Sequence, residues 1–210
     1  MKKVCSIFSV IFLLMLSGCG GLNLSVNGNI NSISVRNLSG LDKLYLSVGS
    51  DQFYAFDFNV DPKYKWVQLS LEKYQKGNNK PETSGFSANL DYSKGIIIAA
   101  MSDYNESKQQ LRLIISNEDG RNTVKTNREY EKVSKDYDKL TGTLGDTLNI
   151  NTNSDTVLLY TAYKKDHSSM LSLTTEFFKD PVKNADELQE YDMAYLLKCR
   201  FFESESEIQK

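Results

Sequence analysis

The sequence predicts a mainly β protein: an antiparallel β-sandwich or barrel-like sheet with a C-terminal α-helix. Three observations carry that expectation. From Ile30 to Thr174, short apolar stretches, many of them alternating, recur between breakers rich in Gly, Asn, Asp and Ser, the pattern of strands and turns. Twelve Tyr against a single Trp is an aromatic balance that suits pleated, half-buried sheet surfaces. Near the end the period changes, with Leu188, Tyr191, Tyr195 and Cys199 recurring at helical spacing.

Residues 30–35 alternate in part. Leu44 to Val48 alternates in its apolar positions, Gln52 to Phe58 is aromatic-rich, and Gly49-Ser50-Asp51 is a turn signal, so residues 43–58 read as a hairpin. Asp61-Pro62 breaks the chain, and Val67, Leu69 and Leu71 then share one strand face. Residues 72–93, with Lys76-Gly77-Asn78-Asn79-Lys80-Pro81 and Thr83-Ser84-Gly85, read as a long loop, with room for a weakly signalled strand around Phe86 to Leu90. Gly95 to Met101 is a continuous apolar run suited to a buried strand. After a polar turn at 102–107, Gln110 to Ile115 alternates and then becomes apolar. Tyr130, Val133, Tyr137 and Leu140 lie three to four residues apart, which predicts a short amphipathic helix over 128–140. Strand patterns resume at 147–150, 156–163 and 170–174. The resemblance of 156–177 to 95–115 fits either a duplicated unit or two hairpins of one sheet. Asn184 followed by Glu187 predicts a capped helix over 184–198, against a competing reading of Ala194 to Phe202 as a last strand. Residues 203–210 form a polar, acidic tail.

The N-terminus is the most specific signal. Lys2 and Lys3 precede an almost unbroken apolar run from Val4 to Leu16. As a helix that run spans about 20 Å, short of a hydrocarbon core of roughly 30 Å, which is the profile of an export signal rather than a membrane-spanning helix. It ends in Leu16-Ser17-Gly18-Cys19. This tetrapeptide resembles the lipobox of bacterial lipoproteins: Leu, two small residues, then Cys. The resemblance implies a diacylglyceryl thioether on Cys19, cleavage between Gly18 and Cys19, and acylation of the new α-amino group, including palmitate-type chains. Two or more acyl chains, at about 0.8 kcal/mol per buried CH₂, give a stable tether. Gly20, rather than Asp, after the cysteine implies sorting to the outer membrane of a two-membrane cell, facing the periplasm or the outside. On this reading residues 1–18 are removed, 19–31 are the lipidated Cys and a short tether, 32–202 are a β-rich domain, and 203–210 are the tail.

Loss of residues 1–18 leaves 192 of the 210 residues. Without Lys2 and Lys3 the 25 basic residues become 23 against 27 acidic ones, a formal charge of −4 rather than −2. No basic excess exists to neutralise phosphates, which argues against a nucleic-acid binder. Cys5 leaves with the signal and Cys19 takes lipid, so Cys199 remains as a lone thiol in an apolar stretch, read as core packing over a reactive group. With one His and no Cys cluster, no metal site is expected, and no cofactor motif is visible.

Candidate chemistry is sparse. His167 sits beside Asp166 and Ser168 in an expected turn. Asp103 with Glu106, or Glu118 with Asp119, are the carboxylate pairs that glycoside hydrolysis would need. Tyr54, Tyr64, Tyr74, Tyr92 and Tyr104 offer an aromatic binding face, since a phenol packs as an apolar ring and keeps a wet hydroxyl. Lys94-Gly95-Ile96-Ile97-Ile98-Ala99-Ala100-Met101-Ser102-Asp103-Tyr104 with Leu111-Arg112-Leu113-Ile114-Ile115 resembles the late hairpin of the outer-membrane lipoprotein of type VI secretion systems. That family is a lipid-anchored β-sandwich docking a larger membrane-complex protein through its loops, which implies a partner surface at 102–107 and 72–93. The functional expectation is a lipid-anchored envelope protein that binds or assembles without catalysis. The alternatives are a secretion-system lipoprotein and an envelope glycan hydrolase using acidic residues.

Overall fold

A computed structural model describes residues 29–76, 84–145, 147–150, 154–166 and 169–208. Among these, the strands in chain order are β1 (Ser32–Val35), β2 (Gln52–Asn59), β3 (Trp66–Gln75), β4 (Ser84–Asn89), β5 (Lys94–Asp103), β6 (Lys108–Asn117), β7 (Thr123–Glu131), β8 (Asp138–Thr143), β9 (Leu148–Asn149), β10 (Thr156–Lys164) and β11 (Met193–Phe202). Two short helices interrupt them, α1 (Gly40–Ser47) and α2 (Thr175–Lys179), with 3₁₀ turns at Ala185–Glu190 and Glu205–Glu207. One sheet runs β7-β6-β5-β2-β1-β9 and the other β4-β3-β11-β10-β8, every neighbouring pair antiparallel. The fold is a mainly β sandwich. It is not a closed barrel, because no ladder joins the end strands of one sheet to those of the other among the described residues.

Alternation fills the interior. In the first sheet Phe56 lies opposite Ile97, and Ile97 opposite Ile115. In the second, Val67, Leu69 and Leu71 lie opposite Phe201, Cys199 and Leu197. All of these are buried, and fully burying one such side chain stabilises by about 1.5–3 kcal/mol. Phe58 of β2 meets Phe201 of β11 across the layers, ring centroids 5.4 Å apart.

β10 and β11 are different, because both of their faces are buried. α2 and the segment before it lie on the outer face of β10. Phe178 packs on Tyr160, and the Tyr160 hydroxyl accepts the Leu173 backbone N–H at 3.2 Å. Leu158 forms a bulge where the β10–β11 register shifts, which bends the strand.

Four expected elements differ. Residues 40–47 are helical, not the first strand of a hairpin, because Ser39 and Asp42 cap each other: the Asp42 N–H donates to Ser39 Oγ at 3.1 Å and the Ser39 N–H to the Asp42 carboxylate at 3.0 Å. The expected helix over 128–140 is the end of β7, a turn and the start of β8. Ser134 turns the chain, its Oγ accepting the Asp136 N–H at 3.3 Å and its carbonyl the Tyr137 N–H at 3.2 Å. The expected C-terminal helix over 184–198 is a 3₁₀ turn followed by β11. Glu187 is drawn away from Asn184 to Thr174, whose N–H and hydroxyl it accepts at 2.8 and 2.6 Å. Apolar residues on both faces then satisfy a central strand. Residues 170–174 are not a strand but lead into α2, so the second hairpin of the apparent duplication does not form; β10 pairs with β8 and β11 instead. The weakly signalled strand near Phe86 is β4.

Candidate functional site

The sandwich opens along the edge where β3 and β4 face β6 and β7. A cleft of about 310 Å³ lies there, lined by Leu71, Lys73 and Ser84 on one side, Lys108, Glu129, Tyr130 and Glu131 on the other, and Tyr195 below. Leu71, Tyr130 and Tyr195 continue into the interior, where they meet Met101, Leu111 and Leu197 around a void of only about 10 Å³. That is no more than the space a single water needs, so the cleft has a closed apolar floor.

Its rim is charged in pairs. Lys73 Nζ meets the Glu131 carboxylate at 2.9 Å and Lys108 Nζ meets Glu129 at 2.8 Å. The hydrogen bond from Lys73 holds Glu131 below its usual carboxylate range, and the hydrogen bond to Glu129 raises Lys108. The first pair joins the two sheets, as does Arg128 Nη2 donating to the Gly85 carbonyl at 3.0 Å. Under the rim the Tyr130 and Tyr195 rings pack with centroids 5.1 Å apart, and Tyr163 meets Tyr195 edge-on at 6.3 Å. Burial, then the neighbouring Tyr163, Tyr195 and Asp103, push the Tyr130 phenol far above its ordinary value. Protonated phenols under neutralised ion pairs suit packing and hydrogen bonding, not proton transfer near neutrality.

The candidate tyrosines do not form one surface. Tyr64 and Tyr74 are buried, Tyr54 is half-buried on β2, and Tyr104 is exposed in the β5–β6 turn. Tyr92 stacks on Phe58. Tyr74 belongs to a buried trio on the outer face of β3 and β11. Its hydroxyl donates to Glu72 at 2.5 Å, and Lys198 Nζ lies 2.5 Å from the same carboxylate oxygen and 2.9 Å from the Tyr74 hydroxyl.

The candidate acids are tied down or solvated. Asp103 accepts from Lys132 and from Gln109, the latter at 3.2 Å, and those hydrogen bonds lower its carboxyl below the usual range. Such a group is ionised and unsuited to act as a general acid. Glu106 is exposed in the same turn, and Asp119 pairs with Arg121 at 3.0 Å beside exposed Glu118. Cys199 is buried, and burial raises its thiol, which makes it an inert packing group. Gly18, Cys19 and His167 lie outside the described residues. Among the described residues no group of three His, Cys, Asp or Glu is placed to hold a metal.

Of the cleft residues, Lys73 and Ser84 fall within the expected partner range 72–93, while sequence reasoning missed Lys108, Glu129, Tyr130, Glu131 and Tyr195. The available signal was the alternation of Arg128-Glu129-Tyr130-Glu131, partly buried and exposed in turn, which the wider helical spacing of 128–140 masked.

Residues 32–201 match the YgaN domain, a span that runs from the first residue of β1 to the penultimate residue of β11. The chain belongs to the YgaN domain family. No curated protein and no solved structure matches it at a significant level. The matched span holds all but the last residue of the sandwich, together with its cleft, and leaves residues 1–31 outside the YgaN domain.

Proposed function

We propose that this chain is a lipid-anchored protein of the bacterial cell envelope, in which Cys19 carries the lipid and the YgaN domain binds a protein partner without catalysis. The observation that carries the reading is the order of signals in residues 2–19: two lysines, an apolar run, then Leu16-Ser17-Gly18-Cys19. A further feature supports it. The family match begins after this segment, so the export and lipidation signals stand apart from the domain. The reading needs no membrane-spanning helix, and no helix among the described residues is long and apolar enough to cross a membrane. The aromatic cleft with its paired charges is the surface on which a partner segment would seat, its apolar side chains on Tyr130 and Tyr195 and its polar groups at the rim.

Labelling with a radioactive or clickable palmitate in a bacterial host tests the anchor. The wild-type chain incorporates label and sediments with membranes, while Cys19→Ser protein incorporates none and loses its membrane fraction. A wild-type chain that takes no label, or a Cys19→Ser chain that takes as much, rejects the reading.

A further inference from the structure

Helix α1 is amphipathic in the wrong direction for a surface helix. Leu41, Leu44, Tyr45 and Val48 recur at i, i+3, i+4 and i+7, the spacing of a stripe that ordinarily faces the core. Here all four face solvent, 59 %, 61 %, 68 % and 85 % exposed. Leu46, from the opposite side of the helix, is instead the apolar side chain turned toward the protein. None of the helix residues is buried. The pattern is not spread over the molecule. Of the ten large hydrophobic side chains exposed among the described residues, six fall between Ile30 and Val48, Ile30 and Val35 being the other two. An apolar surface concentrated in one segment marks something that covers it.

The position of that segment says what. Ten chain steps lead from Cys19 to Asn29, a span of at most about 35 Å, and β1 adds roughly 13 Å before the short link to α1. The exposed apolar segment is therefore the part of the domain nearest in sequence to the lipid. Its size argues against a second copy: a two-turn helix is about 12 Å long and 10 Å wide, while a stable interface buries about 800 Å² on each side. A lipid surface has no such threshold, because an interfacial helix inserts its apolar face only about 5–10 Å. Tyr45 suits that depth, with an apolar ring and a polar tip. We infer that α1 lies on the lipid surface that holds Cys19, with Leu41, Leu44, Tyr45 and Val48 in the acyl boundary, so that the YgaN domain sits on the membrane in a fixed orientation. This rests on the proposed anchor.

Tyr45→Trp protein, produced with its lipid and reconstituted in phosphatidylcholine vesicles, tests it. The parent, whose sole tryptophan is Trp66, supplies the background. Vesicle flotation reads the anchor, and quenching by brominated acyl chains reads α1. The expected result is flotation of both proteins with quenching only in Tyr45→Trp, abolished by Leu41→Ser with Leu44→Ser while flotation persists. In Cys19→Ser protein the same double substitution lowers vesicle partitioning about tenfold or more, from the apolar area lost. Protein that fails to float overturns the anchor. Protein that floats with the introduced indole unquenched and solvent-exposed overturns the placement of α1 alone. In the unlipidated Cys19→Ser background, an emission from that indole that shifts with protein concentration in the absence of vesicles assigns the stripe to a second copy and also overturns it.

Discussion

Lys198 places an ammonium in the buried outer face of β11, paired with Glu72. Its side chain is 9 % exposed and that of Glu72 is 12 % exposed. Burial works against the ammonium, but hydrogen bonds to Glu72 and Tyr74 outweigh it and raise Lys198 above the ordinary lysine value. Burial, then the hydrogen bond to Glu72, keeps the Tyr74 phenol protonated, so a single donor–acceptor set is completed inside the sheet face. Breaking such a pair from one side leaves an uncompensated buried charge, whereas replacing both partners by apolar groups removes the problem. Lys198→Met is expected to cost about 3 kcal/mol or more, with Glu72→Met in the same chain restoring most of that loss. Urea unfolding of the two variants checks it, and equal stabilities would show that the trio is solvated and carries no such penalty. The sequence offered little warning: a Lys inside Tyr195-Leu196-Leu197-Lys198-Cys199-Arg200 looks like one polar position on an amphipathic element.

At the scale of elements, β8 is held to β10 by a glycine. Gly142 lies opposite Tyr160, and a Cβ there would stand 2.4 Å from the Tyr160 ring. That ring is itself fixed by Phe178 and by the Leu173 N–H, so it has nowhere to move. Gly142→Ala is expected to destabilise by about 1–3 kcal/mol, as overpacking does. Gly145→Ala, where nothing lies within 4 Å, stays within about 0.5 kcal/mol; thermal melts of the pair decide, and equal Tm values would show that β8 yields. Legibility follows the same local logic. β3, β5 and β6 were readable because each has an apolar set on one face or an unbroken apolar run. β11 was ambiguous because a strand buried on both faces loses its period of two, and Leu188, Tyr191, Tyr195 and Cys199 then imitate a helix. β4 was faint because Ser84-Gly85-Phe86-Ser87-Ala88-Asn89 carries one large apolar residue. α1 was hidden because Leu44, Leu46 and Val48 also alternate, and only the Ser39–Asp42 capping pair decides between the two periods. The cleft was out of reach because its two walls meet through pairs such as Lys73 and Glu131, 58 residues apart in sequence.

For the molecule as a whole, the tyrosine excess read from composition becomes a statement about pH. The phenols of Tyr163 and Tyr191 are pushed up to about 12, chiefly by burial. Tyr130 is raised further, and Tyr54, Tyr74 and Tyr92 are also raised, again with burial as the leading cause. In the unfolded chain these groups ionise near ~10. The folded state therefore keeps protons that the unfolded state releases, and stability falls as pH rises. The contribution is complete below about pH 9 and is lost progressively from about 10 through 12. Since Tyr130 and Tyr163 both pack on Tyr195 between the sheets, ionising those two means separating the layers. Alkaline titration followed by tyrosinate absorbance and far-ultraviolet circular dichroism together checks this. The raised phenols of Tyr130, Tyr163 and Tyr191 ionise in one cooperative step as the sheet signal collapses. Tyr130→Phe with Tyr163→Phe moves that step to higher pH, because phenylalanine has no proton to lose. Ionisation of Tyr130 and Tyr163 near pH ~10 with the sheet signal intact would mean that the interlayer rings are open to water and that the sandwich is not sealed at the floor of its cleft.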